Sequence, residues 1–263
     1  MKQKFAILYI CTGNYVIFWK DFFKSAEKYL LTEEEIEKHY FVFTDANIID
    51  CDENTRVHRI YQEPLSWPYI TLDRFSIFQK AKKEFAKMDY IYFFNANMRF
   101  VKKIGKEILP SEGTTLALTK HPGFFNKTRD KFTYETNPSS LAYVSEKEGD
   151  YYFMGGLSGG FSEDYIKLID ELKRRIDLDK EKGIIALWHD ESHLNRYAID
   201  YSEKIKILDP SFGYPEGWKL PFEPKIIIRD KKKVGGHDYL RGIKKEERKK
   251  LKFKDFIRKF LSN

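Results

Sequence analysis

The sequence predicts an α/β protein built on a doubly wound, mostly parallel twisted sheet. Three observations lead there. Residues 90–94, Tyr-Ile-Tyr-Phe-Phe, form an unbroken run of aromatic and β-branched residues, the pattern of a strand buried on both faces. Short apolar runs alternate with amphipathic segments in the order β-α-β-β-α-β up to that strand, which calls for parallel strands joined by right-handed crossovers. A chain of 263 residues, 42% hydrophobic and 16% aromatic, has ample material for the core that such a sheet needs.

In chain order, residues 5–11 read as the first strand. From about Tyr15, Phe18, Phe22, Ala26, Tyr29 and Leu30 recur at helical spacing. Strands are expected at 39–43 and 57–61. Thr71 reads as the cap of a helix with Leu72, Phe75, Phe78, Ala81 and Phe85 on one side, and that helix leads into the central strand. Beyond Arg99 the regularity drops. A strand is expected at 114–119, loop from His121 to Asn137, and a helix from Ser162 with Ile166, Ile169, Leu172 and Ile176 facing the core. Residues 183–188 read as a strand or strand end. One domain over 1–242 and a separate tail over 243–263 complete the reading.

The net charge of +7 is concentrated in that tail, where nine Lys or Arg stand against three acids from Lys244 onward, so the body is nearly neutral. Basicity therefore gives no argument for a nucleic-acid groove. Phe253, Phe256, Ile257, Phe260 and Leu261 fall at helical spacing among those cations. That is the pattern of a helix lying on anionic lipid, or of one docked on the protein's own body. No run of 18 apolar residues exists. With Cys11 and Cys51 as the two cysteines and no cleavage signal after the first apolar run, a reducing cytoplasmic setting is expected, with peripheral contact at the inner face of the cell membrane through the tail.

Chemistry concentrates at three places. Asn95 and Asn97 follow the central strand, and ligands of open α/β sheets sit beyond the carboxyl ends of the strands; the alternative is that asparagines simply end the strand. The glycine pairs in Met154-Gly-Gly-Leu-Ser-Gly-Gly160 do not match a dinucleotide fingerprint. They read as a tight turn, or as backbone that approaches a neighbour or ligand closely. Trp188-His-Asp-Glu-Ser-His193 places four ionisable groups at a helix start. His189 and His193 nearly make a zinc-protease signature, but Asp190 stands where that signature needs glutamate. The other chemistry is Asp190 and Glu191 holding a sugar and stabilising an oxocarbenium-like centre.

With these motifs assembled, the chain resembles glycosyltransferase family six, whose animal members include the ABO blood-group transferases and α-1,3-galactosyltransferase. The resemblance runs over residues 5–242. It rests on Thr12-Gly-Asn-Tyr15, Tyr40-Phe-Val-Phe-Thr-Asp45, Phe94-Asn-Ala-Asn-Met98, His121-Pro-Gly-Phe124, the double-glycine cluster, and Trp188-His-Asp-Glu-Ser-His-Leu-Asn195. In the animal enzymes the positions of Asn95 and Asn97 carry aspartates that bind manganese and UDP. This chain departs there, as bacterial members do.

The resemblance implies a glycosyltransferase-A type fold, with a nucleotide-binding first half and an acceptor-binding second half. It assigns Ile10, Cys11, Thr12 and Tyr15 to the uridine pocket, Arg74 and Asp190 to the donor sugar, and Asn95, Asn97 and Gly155 to the donor site. Met154 and Gly156 fall where galactose and N-acetylgalactosamine are told apart. His121, Trp188 and Glu191 meet the acceptor, and Glu191 is the catalytic carboxylate. A carboxyl-terminal segment would close over the diphosphate, here with Lys231, Lys233 and Arg241, and Gly235 and Gly236 as hinges. The implied activity is retaining α-1,3 transfer of N-acetylgalactosamine or galactose from a UDP-sugar to a β-galactoside oligosaccharide or glycolipid, fucosylated at the neighbouring hydroxyl. Two neutral amides suit a divalent ion poorly, so no metal or other cofactor is expected. The rival readings are a glycan-binding module without turnover, and a zinc hydrolase at His189 and His193.

Overall fold

The structure is a computed structural model that describes residues 2–242. The basic tail, with its expected amphipathic helix and lipid contact, lies outside the described residues. In chain order the elements are β1 (Gln3–Ile10), α1 (Trp19–Tyr29), β2 (Ile36–Thr44), β3 (Val57–Tyr61), α2 (Tyr69–Leu72), α3 (Arg74–Phe78), α4 (Lys82–Phe85), β4 (Tyr90–Phe94), β5 (Met98–Phe100), β6 (Leu116–Lys120), β7 (Phe153–Phe161), α5 (Ser162–Glu181), α6 (Asp190–Asp200), β8 (Ile205–Leu208), β9 (Tyr214–Pro215), β10 (Ile226–Ile228) and α7 (Gly236–Leu240).

Seven strands form one sheet in the order β3-β2-β1-β4-β7-β6-β8. All pairings in it are parallel except those of β7, which runs antiparallel to both β4 and β6. The expected mostly parallel α/β sheet is therefore what forms. The strand alternation explains it. Phe5, Ile7, Tyr9, Tyr40, Val42, Tyr92 and Phe94 point to one face and join the α1 side chains Trp19, Phe22 and Ala26. Ala6, Leu8, Phe41, Phe43, Ile91 and Phe93 point to the other and meet Phe75, Phe78, Phe85, Leu168 and Leu172. Both faces are covered by apolar side chains, so the strands read as continuous apolar runs. A second, three-stranded sheet, β5-β10-β9, begins just beyond Asn97. Among the described residues no helix is long and apolar enough to cross a membrane.

Four local expectations are corrected. The glycine cluster is the central strand β7 rather than a tight turn, and the close backbone approach also expected of it is made to neighbouring strands. A side chain at Gly159 would run into the Tyr92 ring and one at Gly160 into the Thr115 carbonyl, so the glycines provide clearance between paired strands. Residues 183–188 are turn and loop, because Gly183 ends α5 in a left-handed conformation, φ +71°. The helix expected from Thr71 is broken into α2, α3 and α4. Thr71 lies inside its first turn, its hydroxyl donating to the Pro68 carbonyl at 2.7 Å, while Leu72, Phe75, Phe78, Ala81 and Phe85 are all buried as the spacing requires. The helix expected from Tyr15 opens as a 3-10 turn, Gly13–Phe18, and becomes α-helical at Trp19.

Candidate active site

A cleft opens where β1 and β4 end. Ile10, Thr12 and Tyr15 line it, together with Arg74, Asn95 and Asn97 and with Lys231, His237 and Arg241 from the last described segment. The sharp exit from β1 is made by Gly13, φ +59°, whose N–H donates to Asp45 Oδ1 at 2.7 Å. Cys11 does not face the cleft. Its N–H donates to the Phe43 carbonyl, its own carbonyl accepts from Thr44 Oγ1, and burial pushes its thiol up to about 12. It forms the backing of the wall on which Ile10 and Thr12 stand.

The cationic side comes from the last described segment. Asp230 caps the 3-10 turn Lys231–Val234 by accepting from the Lys232 N–H, and Gly235, at φ +94°, starts α7. That helix is pinned to the lip of the cleft by Asn14 Nδ2, which donates to the Tyr239 carbonyl at 2.7 Å. The Lys231 ammonium lies 5.3 Å from the Tyr15 ring centre and the Arg241 guanidinium 5.5 Å from that of Trp67. The nearby carboxylates Asp190, Asp21 and Glu216 pair instead with Arg74, Arg229 and Lys233. Burial, with Arg241 and Arg74 nearby, lowers Lys231 to about 8. Lys233, assigned with them, is elsewhere: it is turned toward Glu216 at 2.9 Å. A half-buried surplus of positive charge against two asparagine amides is a site for a polyanion.

Behind Arg74, which lines the cleft, stands an acidic pair. His189, held at φ 56°, ψ −124°, turns the chain into α6, so Asp190 and Glu191 are its first residues. Arg74 Nη1 meets Asp190 Oδ2 at 2.7 Å and also donates to the Gly155 carbonyl. The Gly155 N–H donates to Glu191 Oε2 at 2.7 Å, and the Tyr152 hydroxyl donates to Glu191 Oε1 at 3.1 Å. Asn195, one turn along α6, clamps the arrangement, its amide exchanging hydrogen bonds with Phe153 N–H and C=O at 2.8 Å each. Burial raises Asp190 to about 6, opposed by Arg74. Burial also raises Glu191 to about 7; the Gly155 N–H opposes that rise and the neighbouring Asp190 adds to it.

The remaining assigned residues gather around this pair. His121 packs its ring against Phe124 and Tyr152, accepts from the Gly123 N–H at 3.0 Å, and is lowered to about 4 by burial, hence neutral. Trp188 precedes the pair with its indole 48% exposed, free to receive a ligand. The Asn95 N–H donates to the Gly156 carbonyl at 2.9 Å, which ties the end of β4 to the glycine strand. Met154 is buried, its thioether packed against Gly213 and its methyl against Gly156.

The zinc reading fails on geometry. His189 packs on Trp67, with ring centres 4.9 Å apart, whereas His193 is fully buried with Nε2 3.7 Å from Asp179. Among the described residues no three His, Cys, Asp or Glu are grouped to hold a metal ion. Sequence reasoning missed Tyr152, Asn195, His237 and Trp67. Asn195 carried a usable signal, since it lies four residues after Glu191 and so on the same helix face.

Comparison with known proteins identifies the family. Residues 3–235 match the family model described as Glycosyltransferase family 6. The O-antigen biosynthesis glycosyltransferase WbnI of Escherichia coli is 33% identical over 227 residues, covering 86% of this chain and 94% of that protein. Histo-blood group ABO system transferase 1 of Rattus norvegicus is 31% identical over 225 residues, 78% of this chain and 60% of that protein. Globoside alpha-1,3-N-acetylgalactosaminyltransferase 1 of Gallus gallus is 30% identical over 223 residues, 82% of this chain and 62% of that protein. The chain thus spans nearly all of the bacterial relative but less than two thirds of the animal ones.

Proposed function

The chain belongs to glycosyltransferase family 6, and from that premise we propose a retaining, metal-independent α-1,3-glycosyltransferase. It moves N-acetylgalactosamine, or galactose, from a UDP-sugar to a fucosylated β-galactoside. One observation carries the reading. A carboxylate, Glu191, is fixed by donors on both oxygens, beside the pair that Asp190 makes with Arg74, and Arg74 also lines a cleft that holds Lys231 and Arg241. The diphosphate of a nucleotide sugar would meet Lys231 and Arg241, and its sugar would reach Arg74 and Asp190. Its anomeric carbon would then face Glu191, whose charge stabilises the cation that develops as UDP departs. His121, whose ring lies against the Tyr152 that donates to Glu191, and Trp188, three residues before Glu191, would receive the acceptor galactose.

The name of one relative, a globoside α-1,3-N-acetylgalactosaminyltransferase, supports the donor and linkage. The bacterial relative's name, which specifies O-antigen biosynthesis, supports an oligosaccharide acceptor. A divalent ion, as the animal members bind, does not fit these residues. Asn95 and Asn97 are neutral, an N–H of Asn97 is engaged by the Arg229 carbonyl, and Asp190 and Glu191 are already held by Arg74, Gly155 and Tyr152. The cations of the last described segment take the ion's place in neutralising the leaving UDP.

The test is product analysis with UDP-N-acetylgalactosamine and UDP-galactose against fucosylated lactose, in excess chelator. An α-1,3-linked product supports the reading. Activity that disappears in chelator and returns with manganese removes metal independence. Failure to release UDP from either donor, with or without acceptor, would favour a glycan-binding module instead.

A further inference from the structure

Asn97 is 4% exposed, and it holds one residue from the far end of the chain twice. The Arg229 N–H donates to the Asn97 carbonyl at 2.8 Å, and Asn97 Nδ2 donates to the Arg229 carbonyl at 2.8 Å. The first bond continues the β5–β10 ladder one residue past the Met98–Ile228 pair; the second is made by the side chain alone. From Arg229 the chain has little freedom before Lys231. The Arg229 guanidinium is engaged by Asp21 at 3.1 Å and lies over Phe18, and the Asp230 N–H donates to Glu216 Oε2 at 2.8 Å. Lys231 follows at once, with its ammonium over Tyr15 in the cleft.

We propose that Asn97 is a positioning residue that acts through Arg229 on Lys231, fixing where the ammonium that meets the diphosphate stands. This rests on the UDP-sugar reading given above and deepens it. The side-chain type follows from the bond. The Arg229 carbonyl needs a donor, and an amide supplies one, whereas an ionised aspartate at position 97 has only acceptors and would set its charge against that carbonyl oxygen. Asparagine here is thus required by the docking of the cationic segment, independently of any contact with nucleotide. The loss of a metal-binding carboxylate and the gain of a seated lysine are one structural feature.

A double-mutant cycle tests it, with UDP affinity measured by calorimetry in chelator for the unaltered chain, Asn97→Asp, Lys231→Ala and the double variant. Each single change is expected to weaken UDP about tenfold, the scale of one charge-assisted contact, and the double variant to be no weaker than Lys231→Ala within about twofold. Additive losses, about a hundredfold together, would show that Asn97 acts independently of Lys231 and overturn the proposal. So would an Asn97→Asp variant that binds UDP normally. Melting temperature without UDP checks folding; should the aspartate variant not fold, Asn97→Ala removes the donor without adding charge and takes its place in the cycle. The wider reading fails differently, since the unaltered chain would then not bind UDP in chelator at all.

Discussion

The Gly155 N–H points at Glu191 Oε2 from 2.7 Å, so a strand from the middle of the sheet holds the carboxylate at the mouth of α6. A Cβ at Gly155 would stand 3.3 Å from both Asp190 Oδ2 and Glu191 Cβ, which is why this part of the strand has no side chain. The strand thereby presents bare backbone to the acidic pair. A fixed carboxylate on a rigid donor needs little reorganisation when a cation develops in front of it.

Glu191→Gln should keep UDP binding and lower turnover by at least ~10²-fold, because the charge aimed at the developing cation is gone while the shape remains. The variant also separates function from stability. Burial raises Glu191 from its ordinary 4.5 to about 7, so between those values the folded chain holds a proton that the unfolded chain releases. The charge therefore costs stability, by an amount that grows as pH rises through that window and is complete above about 7. At pH above that window the inactive glutamine variant should be the more stable protein, by on the order of 1 kcal/mol. Calorimetric melting beside UDP-release assays reads both; normal turnover in the variant would remove Glu191 from the chemistry.

Much of this centre was legible in the sequence, for a physical reason. Strand burial and helix faces are local periodicities, so β1, β2, β4 and the faces of α1 and α5 could be read directly. The end of β4 then placed Asn95 and Asn97 at a ligand crevice, and the family resemblance added Ile10 and Thr12, which line the same cleft. Contacts that depend on what lies opposite could not be read. The glycine cluster looked like a turn because nothing near it in sequence reveals that the Tyr92 ring lies against Gly159. Tyr152 carried no signal, since only folding brings its hydroxyl to Glu191. Lys231 and Lys233 belong to one run of three lysines, yet the 3-10 turn sends one into the cleft and the other to Glu216.

Tyr152→Phe should shift the acid limb of the turnover profile upward. The hydroxyl donates to Glu191 and so favours its charged form, together with the Gly155 N–H. Removing it lets burial raise the carboxyl further above about 7, and a higher pH is then needed to ionise it. The loss at alkaline pH, where Glu191 is charged in both proteins, should be about tenfold or less. An unchanged pH profile in the variant would mean that the Tyr152 bond does not govern the ionisation of Glu191.

Gly156→Ala should impair N-acetylgalactosamine transfer more than galactose transfer. A Cβ there would lie 2.5 Å from the Met154 methyl and 3.1 Å from Asn95 Nδ2, so it must displace the first and crowd the second at the cleft floor. An acetamido group is the bulkier occupant of the same space. A single methyl in such a pocket discriminates by ~1–3 kcal/mol, or about 10- to 100-fold in the ratio of kcat/KM for the two donors. A ratio that stays constant on substitution would show that Gly156 does not border the sugar's 2-position.

UDP affinity should fall as pH rises through about 8, the value to which burial, Arg241 and Arg74 lower Lys231. Only the ammonium form attracts the diphosphate, so above that value binding must take up a proton, and affinity drops by up to ~10-fold per pH unit. Folding responds with the opposite sign. Between about 8 and the ordinary 10.5 the unfolded chain holds the proton that the folded chain has lost, so the nucleotide-free protein gains stability from this group as pH rises through the same window. Lys231→Arg keeps a cation across the range and should abolish the pH dependence of UDP affinity, even if the longer head binds less well. Calorimetric titrations with UDP from pH 7 to pH 10, in buffers of different ionisation heat, measure the affinity and the proton uptake together. Titrations that show no proton uptake near that value and the same affinity throughout would mean that Lys231 does not meet the diphosphate.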